Sequence, residues 1–483
     1  MTYDVVVVGG GAVGCAIARE LSRYRLKIAL LEKEPDVACG TSGRNSAVVH
    51  AGFNNKPGTL MARFCVEGNK RFEGLCKDLD VPYLKTGKYL VAFNDADVET
   101  LQGLVENGQK NGSIGISMIT GDEMRKTEPN VSGIMAMHSS NTAVFNPFLY
   151  TVALAENAKS NGVDFYFESE LVSAEKDESG FELHTSDGKI IRARYVVNSA
   201  GLFSAEVAKL FGVNDYNIYP CRGEYFILDK AALDIIHTPI YPAPQKGIGG
   251  LGVHLTPTID GNIIIGPSAE YIDEKDDYAT TESIMQKLMK EAQQLLPQIS
   301  PSLVIGAYAG LRSKQAPKSE GGFRDFVIKE EETVPGLIDL IGIESPGLTA
   351  SVPIAEYVTE IIKSKEELEP NDSFDPHRKG IVRFRELSAD DRAKLIETDP
   401  LYGEVVCRCE TVTKGEIRDA INSLLGPITV SSIKNRTRIT TGRCQGGYCL
   451  NKTIGMLISE YGQKPETIRH REVGTELFIG EVK

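Results

Sequence analysis

The sequence lacks any uninterrupted apolar run of about 18 residues, so it predicts no membrane-spanning helix. It also lacks an internal repeat and a low-complexity segment. Basic residues are not in excess, and the formal net charge of −13 argues against a nucleic-acid partner. No basic segment with a cleavage site precedes the first apolar run, so we expect a cytoplasmic protein, or one that a partner holds at a membrane periphery.

The first 32 residues contain the pattern of a dinucleotide-binding βαβ unit. An apolar strand over Tyr3–Val8 leads directly into Gly9-Gly-Gly11-Ala-Val-Gly14, and a second strand ends at Glu32. In this pattern Gly9 permits a tight turn, Gly11 lets a pyrophosphate approach the backbone, and Gly14 lets helix and strand pack closely. Glu32 is placed to accept hydrogen bonds from the ribose hydroxyls. One such unit does not show whether the bound nucleotide is NAD or FAD.

Four cysteines near the C-terminus form the second chemical signal. Cys407 and Cys409 are spaced C-x-C, and Cys444 and Cys449 are spaced C-x₄-C. Four thiolates from two loops can hold one iron–sulfur cluster. They can also hold a structural zinc ion, although zinc modules usually space cysteines as C-x₂₋₄-C. Disulfides are disfavoured in a reducing compartment.

Charge is distributed unevenly between this segment and the rest of the chain. Residues 401–483 carry 12 Lys and Arg against 9 Asp and Glu, a net of +3, which leaves −16 on residues 1–400. A basic shell would offset the negative charge of an iron–thiolate cluster and attract an acidic partner. A chance fluctuation explains the difference equally well.

The rest of the chain predicts strands, hairpins and helices. Hairpins are expected across Asp187-Gly188 and Asp260-Gly261. The predicted strands are Phe165–Lys176, Phe181–Thr185, Lys189–Val197, Gly252–Thr258, Asn262–Ile265 and Leu337–Gly342. The predicted helices are Thr59–Leu79, Pro147–Asn161, Thr280–Leu296 and Thr349–Ser364.

Several segments of residues 1–365 resemble the D-amino-acid-oxidase-like superfamily of FAD enzymes. They are Gly40-Thr-Ser-Gly-Arg-Asn-Ser-Ala-Val-Val-His-Ala-Gly52, Tyr195-Val-Val-Asn-Ser-Ala-Gly201 and Gly342-Ile-Glu-Ser-Pro-Gly-Leu-Thr349. Within it, Cys221-Arg-Gly-Glu-Tyr-Phe226, Leu251-Gly-Val-His-Leu-Thr256 and Gly261-Asn-Ile-Ile-Ile-Gly-Pro267 are similar to L-2-hydroxyglutarate dehydrogenases and oxidases. Ala309-Gly-Leu-Arg-Ser-Lys314 is compatible with FAD-dependent glycerol-3-phosphate dehydrogenases.

This resemblance implies an α/β (α+β) fold with a Rossmann-like FAD-binding domain and an inserted antiparallel-sheet substrate domain. The implied boundaries are 1–80, 146–215 and 305–365 for the FAD-binding domain, 81–145 and 216–304 for the substrate domain, 366–400 for a linker and 401–483 for the C-terminal module. The implied FAD-binding residues are Gly9, Gly11, Ala12, Val13, Gly14, Glu32, Lys33, Thr41, Ser42, Asn45, Ser46, Leu171, Val172, Ala200, Gly201, Gly310, Arg312, Pro346, Gly347, Leu348 and Thr349.

The C-terminal cysteine segments resemble the bacterioferritin-associated-ferredoxin type of [2Fe–2S] module, a small helical domain. The resemblance rests on Val406-Cys-Arg-Cys-Glu-Thr-Val-Thr-Lys-Gly-Glu-Ile417 and Thr441-Gly-Arg-Cys-Gln-Gly-Gly-Tyr-Cys449. It implies that Cys407, Cys409, Cys444 and Cys449 bind one cluster.

Both flavoenzyme families oxidise the secondary hydroxyl of a small anion, which requires a base and cations. His254 is our first candidate for the base, because imidazole titrates near working pH; His50 is the second. Arg312 and Arg222 are candidates for binding the anion, because a guanidinium fork suits a carboxylate or phosphate. Tyr225 completes the predicted catalytic group.

Three functions therefore remain open. The first is an FAD dehydrogenase for glycerol 3-phosphate or an L-2-hydroxy acid such as L-2-hydroxyglutarate. Its electrons would pass from flavin to cluster, and then to a partner subunit or a quinone- or ferredoxin-type acceptor. The second is an oxidase that uses O₂ directly and keeps the metal module for structure or sensing. The third is an electron-transfer subunit that has no substrate of its own.

Overall fold

The computed structural model of the protein describes residues 1–244, 252–426 and 429–480. Its helices within these ranges are α1 (Ala12–Leu21), α2 (Leu60–Asp78), α3 (Asp95–Asn111), α4 (Gly121–Arg125), α5 (Pro147–Ser160), α6 (Ser204–Leu210), α7 (Glu282–Leu295), α8 (Gly347–Lys363), α9 (Ala389–Thr398), α10 (Lys414–Ile421), α11 (Val430–Thr437) and α12 (Cys449–Ser459). Its strands are β1 (Thr2–Val8), β2 (Ile28–Leu31), β3 (Val48–Val49), β4 (Tyr83–Leu84), β5 (Tyr89–Ala92), β6 (Ile116–Thr120), β7 (Met135–Ser139), β8 (Ala143–Phe145), β9 (Asp164–Tyr166), β10 (Leu171–Asp177), β11 (Gly180–Thr185), β12 (Ile190–Asn198), β13 (Tyr219–Leu228), β14 (Ile240–Pro242), β15 (His254–Pro257), β16 (Ile263–Gly266), β17 (Glu270–Tyr271), β18 (Val304–Lys314), β19 (Val327–Glu330), β20 (Leu337–Ile341), β21 (Val405–Cys407) and β22 (Val412–Thr413).

The first sheet confirms the predicted βαβ unit. Its strands run in the order β10-β11-β12-β1-β2-β9, and β20 joins β12 with β19 at its outer side. The pairs β1–β2, β1–β12, β2–β9 and β12–β20 are parallel. Helices α1, α5 and α8 pack together over this sheet and bury one large apolar core with it. The predicted α/β fold class is confirmed.

The second sheet is predominantly antiparallel. Its order is β17-β13-β16-β15-β14-β5-β7-β6, with β18 paired to β13, and β14–β5 is a parallel pair. One core of this region includes Ile284, Leu288, Ala292 and Leu295 of α7 together with residues of the sheet. The hairpin predicted across Asp260-Gly261 is the β15–β16 pair.

Two segments differ from the strand and domain predictions. The single strand predicted over Phe165–Lys176 is two strands, because the chain turns at Glu168, whose φ is +52°. Strand β9 pairs with β2, and β10 pairs with β11 at the far side of the sheet. Strand β18 pairs along its length with β13, so the predicted FAD-binding segment 305–365 is divided between the two sheets.

The C-terminal module has a core of its own, as predicted for a small helical domain. Strands β21 and β22 form a short hairpin, and α10, α11 and α12 pack around it. The connector before the module is fixed to the body: the Asn157 side-chain amide donates to the carbonyls of Asp375 and His377, each at 3.0 Å. Arg378 forms a buried ion pair with Glu156 at 2.5 Å. Among the described helices, none is long and apolar enough to cross a membrane.

Candidate functional site

A continuous cavity of about 2190 Å³ is lined by residues of both large sheets. All but one of the residues predicted to bind FAD line it. They are Gly9, Gly11, Ala12, Val13, Glu32, Lys33, Thr41, Ser42, Asn45, Ser46, Leu171, Val172, Ala200, Gly201, Gly310, Arg312, Pro346, Gly347, Leu348 and Thr349. The exception, Gly14, lies behind the cavity in the contact between α1 and the sheet.

The glycine-rich turn packs too closely against its neighbours to accommodate side chains at Gly9 and Gly14. Gly9 has a φ of +109°, and a Cβ there would lie 2.7 Å from the carbonyl oxygen of Ser199. A Cβ on Gly14 would lie 2.0 Å from the carbonyl oxygen of Gly9. The turn therefore requires glycine on steric grounds, and it presents the N-terminus of α1 to the cavity, as a pyrophosphate site does.

Glu32 lies at the end of β2 beside this turn. Its carboxylate accepts hydrogen bonds from the backbone N–H groups of Gly10 at 2.5 Å and Glu34 at 2.9 Å. Burial raises the pKa of Glu32 to about 7, against the effect of these hydrogen bonds. A carboxylate has about four lone-pair sites, so the ribose hydroxyls can still donate to it.

The loop after Gly40 is clamped between α1 and β18. The Ser42 hydroxyl accepts from the backbone N–H of Ala12 at 2.9 Å, and the Thr41 hydroxyl donates to the Leu311 carbonyl at 2.8 Å. Gly310 allows the close approach of this loop, since a Cβ there would lie 2.0 Å from the Arg44 carbonyl oxygen. The residues present thus fit a bound FAD.

The basic side chains that line the cavity include His254, His50, Lys88 and Arg312. His254 begins β15, its Nδ1 lies 2.9 Å from the Thr256 hydroxyl, and its ring stacks on Tyr241 at 3.9 Å between centroids. Burial, and then the Lys88, His50 and Arg312 charges, lower the pKa of His254 well below 6.5. The imidazole is therefore neutral at pH 7. Leu251, the first residue of the predicted His254 motif, lies outside the described residues.

His50 lies close to the N-terminus of α8. Its backbone N–H donates to the Thr349 hydroxyl at 3.1 Å. Burial, and then the Lys88 charge, lower the pKa of His50 to about 3. Both predicted histidines therefore meet at one cavity in their neutral forms.

Arg312 and Tyr225 share one face of the β13–β18 ribbon. The register pairs Cys221 with Arg312 and Tyr225 with Tyr308, and Cys221, Tyr225 and Arg312 line the cavity. The guanidinium of Arg312 donates to the Ser268 carbonyl at 3.1 Å and to the Cys221 sulfur at 3.6 Å. Among the described residues it has no ion pair, which leaves its charge free for an anion.

Arg222 lies on the opposite face of β13, because neighbouring side chains of a strand alternate. It does not line the cavity. Its guanidinium contacts Asp277 at 2.5 Å, Glu224 at 3.5 Å and Glu270 at 3.8 Å. The structure therefore does not bring Arg222 to the other predicted site residues. Lys88, by contrast, was not predicted: a single lysine before an apolar strand has no diagnostic pattern.

The four C-terminal cysteines come together as two pairs. Cys407 at the end of β21 neighbours Cys449 at the start of α12, and Cys409 neighbours Cys444. In the described ranges, no three His, Cys, Asp or Glu side chains converge as ligands of a single metal ion would. These four thiols supply the number of ligands that a two-iron cluster requires.

The loop after Cys444 directs backbone N–H groups at its sulfur. Burial alone would raise the pKa of Cys444, but hydrogen bonds with Cys409 and from the N–H groups of Tyr448, Gly446 and Gly447 lower it. A thiolate is the form that binds metal. This donor set fits the predicted cluster.

Buried charges join the first cysteine loop to the second sheet. The Glu410 carboxylate, next to Cys409, accepts from Lys230 at 2.9 Å, Arg385 at 2.9 Å and Arg438 at 3.0 Å. Arg438 also contacts Asp260 of the β15–β16 turn at 2.7 Å. The module is thus fixed to the same sheet that carries His254 and Arg312.

Comparison with known proteins identifies both parts of the chain. Residues 4–361 match the family described as FAD dependent oxidoreductase, and residues 405–459 match the BFD-like [2Fe-2S] binding domain. A glycerol 3-phosphate dehydrogenase of Caloramator mitchellensis is 36% identical over 100% of this chain and 99% of its own length.

Two further relatives each cover about three quarters of this chain. The mitochondrial L-2-hydroxyglutarate dehydrogenase of Arabidopsis thaliana is 31% identical over 74% of this chain and 82% of its own. The solved structure of dithionite-reduced L-alpha-glycerophosphate oxidase from Mycoplasma pneumoniae, with FAD bound, has a TM-score of 0.73 at 28% identity. It covers 78% of this chain and 98% of that one.

Proposed function

The chain belongs to the family of FAD-dependent oxidoreductases and carries a BFD-like [2Fe–2S] domain, and on that premise we propose which reaction it performs. It oxidises the secondary hydroxyl of a small anion and passes the electrons to its own cluster. Glycerol 3-phosphate is the first candidate substrate, and L-2-hydroxyglutarate is the second. The support for this order is the glycerol 3-phosphate dehydrogenase relative, which is matched over its whole length, C-terminal module included.

One observation carries the proposal: a neutral histidine and an unpaired arginine line the same cavity as the FAD-binding loop. His254 takes the hydroxyl proton, since its lowered pKa keeps the ring in the form of a base. Stacking on Tyr241 and the contact with Thr256 hold the ring in one orientation. Arg312 binds the anionic group, for which its planar fork is suited.

The residues that would hold the cofactor are those of the glycine-rich turn, the loop after Gly40, and the start of α8. FAD, when bound, accepts a hydride from the substrate carbon and can release the two electrons one at a time. Tyr225 of β13 contacts the loop after Gly40: its hydroxyl lies 3.4 Å from that of Ser46.

The β13–β18 ribbon also supports the proposed electron path. Gly306 lies on the same ribbon face as Gly310 and Arg312, and the Gln445 side chain of the second cysteine loop lies over it. Gly306 and Gly310 are four positions apart along the strand, a distance of about 13 Å. The stacked rings of Tyr225 and Tyr308, 4.6 Å between centroids, fill the space between. Cys409 and Tyr448 are exposed, where an acceptor subunit, quinone or ferredoxin-type protein can approach.

Anaerobic reduction of the bound flavin tests this function. Purified protein is mixed under argon with glycerol 3-phosphate, L-2-hydroxyglutarate, L-lactate and several amino acids, and the flavin absorbance is followed. We expect glycerol 3-phosphate to bleach the flavin and air to reoxidise it slowly. Fast reoxidation would favour an oxidase, the activity named for the Mycoplasma pneumoniae relative. Absence of bleaching by every compound would favour an electron-transfer subunit.

A further inference from the structure

Lys88 is a buried basic side chain in the wall of the cavity. Its side chain is 0% exposed, and its ammonium nitrogen has no hydrogen-bond partner among the described residues. It lines the cavity that holds His254 and Arg312. An unpaired buried charge is costly unless a ligand compensates for it, so this position calls for an explanation.

The fold places this side chain in the cavity wall. Lys88 directly precedes β5, and strand alternation puts it on the same side as Leu90 and Ala92, which belong to an apolar cluster with Phe53 and Tyr241. The ammonium lies 4.7 Å from the ring centroid of Phe53 and 4.4 Å from that of Tyr241. Ring faces attract a cation, but they do not satisfy its hydrogen bonds.

Within the part of the chain that the structure describes, every titratable group that faces Lys88 is uncharged or basic. These groups are Cys65 of α2, His50, His254 and Tyr241, with Arg312 beyond His254. Burial lowers the pKa of Lys88 to about 7. Burial raises the pKa of Cys65 to about 12 and raises that of Tyr241 further, so neither supplies a negative charge near neutral pH.

We propose that Lys88 binds the anionic oxygens of the substrate, as a second cation beside Arg312. The ligand class is a carboxylate or a phosphate, since either supplies the missing acceptors. Aromatic walls on two sides exclude water, which strengthens the contact. This assignment rests on the proposed function only in requiring that the substrate is an anion.

Binding of non-reducing anions tests the assignment without turnover. Sulfate represents the phosphate source and glutarate the carboxylate source. Sulfate keeps its charge between pH 6 and 9, and glutarate is mostly a dianion at pH 6 and fully so above pH 7. Their dissociation constants are measured from the perturbation of the flavin absorbance of the holoenzyme at constant ionic strength. Lys88→Met should raise the dissociation constant of the preferred anion by about 10- to 100-fold, the usual worth of a charge-assisted hydrogen bond. Lys88→Arg should retain part of the affinity, and Lys85→Met, at an exposed lysine of the same segment, should change nothing.

The pH dependence of wild-type binding is an independent readout. Anion affinity should be constant below pH 7 and fall by up to about tenfold per pH unit above it, because the free enzyme then carries a neutral Lys88. His50 and His254 remain neutral over this range and do not contribute. The profile should be flat in Lys88→Met.

Three results would overturn the assignment. They are unchanged affinity in a folded Lys88→Met protein, a flat wild-type profile between pH 6 and 9, and no binding of either anion to the wild type. If Lys88→Met does not retain FAD, the wild-type profile alone decides. Failure of every substrate to bleach the flavin would contradict the proposed function and leave these measurements valid.

Discussion

Individual residues of the cavity are held in protonation states that suit anion oxidation. His254 and His50 are neutral because burial, together with the nearby Lys88 charge, disfavours their protonated forms. The proposed base, His254, is therefore unprotonated before the substrate arrives. Beside these two histidines, Arg312 and Lys88 are the side chains that can carry a positive charge.

Removal of the proposed base should slow the chemical step. His254→Asn should lower the rate of anaerobic flavin reduction by about 10²- to 10⁴-fold, the range typical of a lost general base. Stopped-flow absorbance measures this rate, and the flavin content should be unchanged. His184→Asn, at a half-buried histidine of β11, serves as the control. A near-normal rate in His254→Asn would return His254 to a packing role and make His50 the candidate base.

The proposed contact of Arg312 with the anion requires two parallel hydrogen bonds from the guanidinium group. Arg312→Lys should raise the substrate KM by about tenfold or more, because one ammonium cannot reproduce a bidentate guanidinium contact. Steady-state kinetics with an artificial acceptor measures it. Arg192→Lys, on the exposed side of β12, should leave KM unchanged. Unchanged KM in Arg312→Lys would show that Arg312 positions β18 and Ser268 rather than substrate.

At the scale of elements, the contact of α1 with the first sheet determines whether the nucleotide turn can form. Gly14→Ala should reduce the FAD content of purified protein strongly, because the new Cβ would lie 2.0 Å from the Gly9 carbonyl oxygen. Released flavin is quantified after heat treatment. Gly103→Ala in α3, where a Cβ meets no atom within 4 Å, is the matched control and should retain full FAD. Full FAD in Gly14→Ala would mean that the helix can move away from the strand.

The elements that the sequence predicted are those encoded by local patterns. Glycine spacing after an apolar strand is enough for the βαβ unit, and an Asp-Gly pair is enough for the β15–β16 hairpin. The pairing of β13 with β18 is not local, and it decides which side chains reach the cavity. The alternation of side chains along a strand would have shown that Arg222 and Tyr225 lie on opposite faces. The burial of Lys88 depends on Tyr241, more than 150 residues away, and no local pattern contains it.

At the scale of the whole molecule, the C-terminal module is an integral part of the flavoprotein. Glu410 of the module and Asp260 of the second sheet are both nearly buried. Arg385 and Arg438 each form ion pairs with both carboxylates. Removing one partner from such a network leaves an uncompensated buried charge, which is strongly destabilising. These ion pairs hold the module in a fixed position against the second sheet.

The central claim is that electrons pass from flavin to the chain's own cluster, and one anaerobic experiment tests it most directly. Wild type, Cys444→Ala and the control Cys76→Ala are mixed with substrate under argon, and flavin absorbance and the EPR spectrum are recorded. Wild type and Cys76→Ala should contain about two irons and two sulfides per chain, bleach their flavin, develop a single-spin cluster signal and reduce an external acceptor. Cys444→Ala should still bleach its flavin, but show no cluster signal and no acceptor reduction. Zinc without sulfide in the wild type, or acceptor reduction that survives loss of the cluster, would contradict the claim.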